Sequence, residues 1–225
     1  MARVLLIPGW ATTARVWDKV GAALPPEIAV ETIEWWDALD GRANGTTEDA
    51  VVVGWSLGSL CALRMALGGK ARGVVFVAGT PRFLEDADHP GATPVALRAM
   101  RRRVAADREA CQHDFFSSAF APARDESAVD ALCAQAREIP VEKLVRGLDF
   151  LARTDLRAEA GRLPTPLVVI HGEEDRIVPP AAATGFAAKV PGATSDVLPG
   201  VGHALPLLAA KQVADAIVRG VHACS

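Results

Sequence analysis

The sequence predicts an α/β protein: a mostly parallel central sheet flanked by helices, with a helical insertion. Three observations predict it. Short runs rich in β-branched residues recur near 3–7, 28–35, 51–53, 73–79, 166–172 and 193–198. Helix-compatible stretches separate several of them, a spacing that implies parallel strands joined by crossover helices. The run at 51–53 ends in Gly54-Trp55-Ser56-Leu57-Gly58, and an apolar, helix-compatible run follows over 60–67. From about Phe83 to Asp155 no buried strand is evident, while 95–114, 127–138 and 141–152 look helical. The expected division is a core over 1–82 and 156–225, with a helical lid over 83–155 inserted in it.

Composition bounds what such a chain can be. With 225 residues, half of them apolar, it can bury a sizeable core in one α/β domain. A net charge of −3 is nearly balanced and points to no nucleic-acid partner. Cys61, Cys111, Cys133 and Cys224 show neither metal-ligand nor C-x-x-C spacing, so free thiols in a reducing cytoplasm are expected. The apolar run at 4–7 is too short for a signal peptide and Pro8-Gly9 ends it. No apolar segment is long enough to span a bilayer. A cytoplasmic monomer without membrane contact is therefore expected.

Taken in order, 3–7 reads as a buried strand that Pro8-Gly9-Trp10 breaks, with a helix over about 14–24. Residues 28–35 read as the next strand. The polar, Gly-rich segment 37–49 lacks apolar periodicity and reads as loop, so a helix common at this point is shortened or missing. After the Gly-x-Ser-x-Gly turn and its helix comes the strand at 73–79. Pro140 suits a helix start, where a missing N–H costs nothing. Beyond the insertion lie the strands at 166–172 and 193–198, then a C-terminal helix over about 206–222.

The chemistry sits at the strand ends. A strand–turn–helix Gly-x-Ser-x-Gly is a nucleophile elbow, which holds Ser56 strained and exposed above the sheet edge. The backbone N–H of Leu57 then lies at a helix N-terminus, facing a developing oxyanion. The backbone N–H of Trp10, just past the first strand, is the second candidate donor. An acidic residue is expected past a late strand; Asp175 in Asp-Arg-Ile-Val-Pro is chosen, with Glu173 and Glu174 as rivals by proximity. His171, before that turn, is assigned a structural place. His203 stands in the Gly-rich turn after the last strand. The order Ser56, Asp175, His203 is the Ser…Asp…His order of the α/β-hydrolase fold. In such a triad Ser56 attacks an acyl carbonyl, His203 is the base, and Asp175 orients the imidazole. No metal or organic cofactor is needed. Phe115-Phe116 suit lid core or acyl-pocket lining, and being adjacent they can do one each. The basic run Arg98, Arg101, Arg102 and Arg103, with Arg108 beyond, reads either as a solvated helix face or as a landing surface for an acidic partner.

These residues resemble a known family. Gly9-Trp10, Gly54-Trp55-Ser56-Leu57-Gly58, Asp175 with Val178-Pro179, and Gly202-His203-Ala204 are similar to the pimeloyl-[acyl-carrier protein] methyl ester esterases of biotin synthesis. So is the stretch Gly147-Leu148-Asp149-Phe150-Leu151 through Thr154-Asp155-Leu156-Arg157. The resemblance implies hydrolysis of the methyl ester of pimeloyl on acyl-carrier protein, releasing methanol. It implies substrate contacts at Trp10, Ser56, Leu57, Phe115 and His203. The family also holds its carrier with lid arginines. Ala110 and Asp114 occupy two of those positions here, and Arg98, Arg101, Arg102, Arg103 and Arg108 stand a turn or more earlier as candidates to replace them. A general short-acyl esterase or thioesterase with the same triad is the alternative; a non-catalytic binding protein of this fold would be expected to have a broken triad.

Overall fold

A computed structural model describes residues 1–42 and 47–224. Six strands form one sheet: β1 (Ala2–Ile7), β2 (Ile28–Thr32), β3 (Ala50–Trp55), β4 (Gly73–Val77), β5 (Leu167–Gly172) and β6 (Thr194–Leu198). Their order is β2-β1-β3-β4-β5-β6 and every pairing is parallel. All carboxyl ends therefore lie along one edge. Neighbouring β1 and β3 send the chain to opposite sides, so their carboxyl ends mark the topological switch point, where open α/β sheets bind their ligands.

Alternation along the strands builds two cores. Leu5, Ile7, Val52, Val74, Phe76 and Val169 face one side. There they meet α3 (Leu57–Leu67) and α8 (Pro180–Ala187). Val4, Leu6, Val51, Val53, Val75 and Ile170 face the other. Their partners are α1 (Asp18–Ala23), α9 (Leu205–Leu208) and α10 (Ala210–His222). Central strands covered on both faces read as unbroken apolar runs, as Val51-Val52-Val53 does.

Between β4 and β5 the chain forms α4 (Pro94–Ala106), α5 (Arg108–Phe120), α6 (Glu126–Ala136) and α7 (Val141–Arg153). Their apolar residues, among them Leu97, Val104, Phe116, Leu132, Leu144 and Leu148, join the same core as α3. The single helix expected over 95–114 is two helices. Asp107 breaks it: with φ −146° and ψ 83° it closes α4, and its carboxylate accepts the Ala110 N–H at 3.1 Å to start α5. Four other expectations are corrected. The strand expected over 28–35 stops at Thr32, and Glu34 opens a short helix α2 (Trp35–Leu39) where loop was expected from 37. Burial of Trp35 against the turn after β1 outweighs the polar character of that segment. Residues 43–46 of the expected loop lie outside the described residues. The helix expected over 14–24 begins as a 3-10 turn, Ala14–Trp17, and the last helix breaks at Ala209, φ −138°.

Candidate active site

Ser56 joins β3 to α3 with φ 54° and ψ −118°, a conformation that residues with a Cβ rarely adopt. Four contacts impose it. The Ser56 N–H donates to the Val77 carbonyl at 3.0 Å. The Ser56 carbonyl accepts from the Ser59 N–H at 2.9 Å and the Ser59 hydroxyl at 2.6 Å. Ser59 Oγ in turn accepts the Thr80 N–H at 3.2 Å, which ties the turn to the exit of β4. The two glycines allow the close approach: a Cβ on Gly54 would overlap the backbone of Gly58, and one on Gly58 the backbone of Ile7. Leu57 opens α3, so its N–H has no acceptor within its own helix.

Asp175 lies just beyond β5, in the turn that leads to α8. Its Oδ1 accepts the N–H groups of Ile177 (2.8 Å) and Val178 (2.9 Å). Its Oδ2 lies 2.7 Å from His203 Nδ1. Glu173 and Glu174 are exposed, so the structure pairs His203 with Asp175 and not with either rival. Burial alone would push the Asp175 carboxyl up. The electrostatic attraction of the His203 and His171 imidazoles, and the hydrogen bonds they make to it, outweigh burial and hold it well below the usual carboxylate range.

His203 is fully buried. Donation from Nδ1 to the carboxylate leaves Nε2 as the basic nitrogen. Nε2 is buried and has no hydrogen-bond partner among the described residues, the Ser56 hydroxyl included. The Trp55 indole N–H donates to the His203 carbonyl at 2.9 Å, and the two rings lie 5.6 Å apart. The residue before the candidate nucleophile thus carries the backbone of the candidate base.

Trp10 follows β1 in a turn closed by the Thr12 hydroxyl on the Gly9 carbonyl at 2.9 Å. Its indole N–H donates to the Leu144 carbonyl of α7 at 2.8 Å. Its ring meets the edge of Phe115 at 5.1 Å and 85°. Phe115 is half-buried and Phe116 is fully buried in the core. Helix α5 runs from this contact to the His203 turn, where the Ala119 carbonyl accepts the Ala204 N–H at 3.0 Å. One helix therefore covers both ends of the candidate site.

The five arginines separate. Arg101 forms two bonds with Asp149, at 2.7 and 3.2 Å, and Arg103 pairs with Asp114 at 2.6 Å. Arg108 turns inward to the carbonyls of Ala136 and Ile139, where it closes the end of α6. Arg98 and Arg102 are exposed. A cleft of about 650 Å³ lies between the exit of β4 and α8, lined in part by Pro81, His89, Arg157, Phe186 and Lys189; no candidate triad residue lines it. Among the described residues no group of three or more His, Cys, Asp or Glu is placed to hold a metal ion, and no helix is long and apolar enough to cross a membrane.

Sequence reasoning missed the contact of His171 with Asp175. The available signal was a histidine near the end of a buried strand, four residues before the acid. It also missed Gly147, where a Cβ would stand 2.8 Å from Trp10 Cδ1 and 2.9 Å from Trp35 Cζ3.

A serine on a strained strand–helix turn, and an Asp–His pair at the same edge of a parallel sheet, define a class. Residues 4–216 match the alpha/beta hydrolase family, and the chain belongs to it; it is an enzyme of the hydrolase class. Within that family it is similar to proteins named pimeloyl-[acyl-carrier protein] methyl ester esterase. The one from Stenotrophomonas maltophilia is 36% identical, covering 99% of this chain and 93% of the relative. The one from Xanthomonas oryzae pv. oryzae is 31% identical, covering 97% and 94%. In fold the chain resembles an esterase from Exiguobacterium antarcticum, with TM-score 0.86, 16% identity and coverage of 99% and 92%. It likewise resembles an enol-lactonase from Burkholderia xenovorans, with TM-score 0.83, 16% identity and coverage of 98% and 91%.

Proposed function

We propose that this protein is a serine carboxylesterase that hydrolyses the methyl ester of pimeloyl-[acyl-carrier protein] in biotin synthesis. The observation that carries the catalytic part is the buried Asp175–His203 pair at the sheet edge that also presents Ser56. The Ser56 hydroxyl attacks the ester carbonyl and passes its proton to His203 Nε2. Catalytic hydrogen bonds of this kind commonly tighten only once substrate is bound. Asp175 stabilises the imidazolium. The N–H groups of Leu57 and Trp10 receive the oxyanion; one such donor is worth about 3–4 kcal/mol of barrier. His203 returns the proton to the departing methoxide, and methanol leaves an acyl-Ser56 ester. Water, deprotonated by His203, then attacks that ester, releasing the free carboxylate and restoring Ser56.

The substrate rests on the names of the relatives and on their full-length similarity. In this reading α4–α7 form the lid, Phe115 lines the acyl pocket beside Trp10, and the protein works as a cytoplasmic monomer. Arg98 and Arg102 meet the carrier. Arg101, Arg103 and Arg108 already have partners within the chain. That observation favours the second reading, a general short-acyl esterase or thioesterase with no carrier requirement.

The test is hydrolysis of pimeloyl-carrier methyl ester beside p-nitrophenyl esters, with Ser56→Ala as control. Turnover of the carrier ester, lost in the variant, supports the first reading. Turnover of the small esters alone supports the second. Turnover of neither, with no fluorophosphonate labelling of Ser56, removes both.

A further inference from the structure

We propose that His171 is a positioning residue: it holds the Asp175 carboxylate in register with His203. The proposal rests on the triad reading above. His171 is the penultimate residue of β5, paired in register with Val197 of β6, and it is fully buried. Its Nε2 lies 3.0 Å from Asp175 Oδ2 and 2.9 Å from the Val178 carbonyl oxygen. Both neighbours are acceptors, so Nε2 carries the proton and shares it between them. His171 Nδ1 is buried without a partner among the described residues.

This completes the shell of the carboxylate. Oδ1 takes two backbone N–H groups, from Ile177 and Val178, and Oδ2 takes the two imidazoles. The backbone pair alone anchors one oxygen and leaves the carboxylate plane free to turn about it. The second imidazole removes that freedom, because His171 is itself fixed by the strand and by Val178. Its donor therefore acts through Asp175 on the direction of the His203 ring. A histidine that only filled space would be replaceable by an apolar residue at no cost in turnover.

The test uses the whole protein with p-nitrophenyl butyrate. His171→Leu removes the donor; His171→Gln keeps an amide N–H near the position of Nε2. A hydrogen bond to a charged group translates into a fall of about 10- to 100-fold in kcat for the Leu variant. KM is expected to stay within about twofold, and the Gln variant to recover most of the loss. The far-downfield proton resonance of the His203 Nδ1–H···Asp175 bond is expected to move in His171→Leu and to stay in His171→Gln. If His171→Leu does not fold, His171→Asn replaces it, since its shorter amide misplaces the donor while staying polar. Wild-type kcat and an unmoved resonance in the Leu or Asn variant would overturn the proposal, as would a folded Gln variant as slow as Leu. Ser56→Ala is assayed in parallel. Turnover surviving in it overturns the triad reading and the proposal together; a dead Ser56→Ala beside a wild-type His171→Leu overturns the proposal alone.

Discussion

The indole N–H of Trp10 donates to the backbone carbonyl of Leu144 over 2.8 Å, in a buried contact between the turn after β1 and helix α7. Gly147, one turn further along α7, lies against the same indole. The Trp35 indole donates to the Thr12 carbonyl of the same turn at 3.1 Å, and its ring also lies against Gly147. The candidate oxyanion turn is thus clamped by two tryptophans and one glycine, and α7 is fastened to it.

Gly147→Ala tests that clamp. The new methyl would stand 2.8 Å from Trp10 Cδ1 and 2.9 Å from Trp35 Cζ3, and both rings are buried. Overpacking of this kind costs about 1–3 kcal/mol. We expect that loss in urea denaturation, with kcat for a small ester falling because the Trp10 N–H moves. An unchanged midpoint and unchanged kcat would mean that α7 shifts without transmitting anything to the turn.

Ser56→Gly separates stability from activity. Strain at a φ of 54° costs about 1–3 kcal/mol, and glycine relieves it. Added unfolded-state entropy takes back about 0.5–1 kcal/mol. The expected variant has no esterase activity and melts higher than wild type. A lower melting temperature would show that the Ser56 side chain contributes more packing than strain.

Acid stability follows from Asp175. Its native carboxyl is held below the unfolded value of about 3.9. The stability this confers is complete above the unfolded pKa and is lost as pH falls through the native one. We expect Asp175→Asn to be less stable than wild type at neutral pH. The gap should narrow as wild type is acidified below about pH 4. Parallel unfolding curves across that range would contradict the assignment.

Cys61 sits on α3, buried, and burial pushes its thiol up to about 12 against the opposing charge of Arg64. The thiolate is the reactive form. Native protein at pH 8 should therefore leave Cys61 unlabelled by iodoacetamide, while protein in guanidinium labels it; mass spectrometry of the peptide reads the difference.

The arginines supply a paired prediction. Arg108 closes α6 through the carbonyls of Ala136 and Ile139, so Arg108→Ala should cost about 1–2 kcal/mol in denaturation. Arg102 is exposed on α4, and Arg102→Glu should leave stability within about 0.5 kcal/mol. If the carrier docks on this face, Arg102→Glu slows turnover of the carrier-bound ester and spares p-nitrophenyl esters.

Much of this was readable from the chain, for local reasons. The Gly-x-Ser-x-Gly turn needs glycine where backbones nearly touch, so Gly54 and Gly58 announce the elbow in sequence. Continuous β-branched runs announce strands covered on both faces. Boundaries were less legible where a single side chain decides them, as Asp107 does by capping α5 inside a run that reads as one helix. The short helix at Trp35 was hidden because its reason to exist is a distant partner, Thr12.

The sequence by itself determined the α/β class, the order Ser56, Asp175, His203, and the chemistry those side chains can perform, because each depends on residue type and short-range spacing. Only the tertiary structure decided which acid meets His203, that His171 shares the same carboxylate oxygen, that Trp10 is bound to α7, and which arginines are already paired. Those are contacts between segments far apart in the chain or side chains aimed by packing. The hydrogen bonds of His203 and His171 to Asp175 and of Trp10 to Leu144, at 2.7–3.0 Å, join buried groups that only the folded chain brings together.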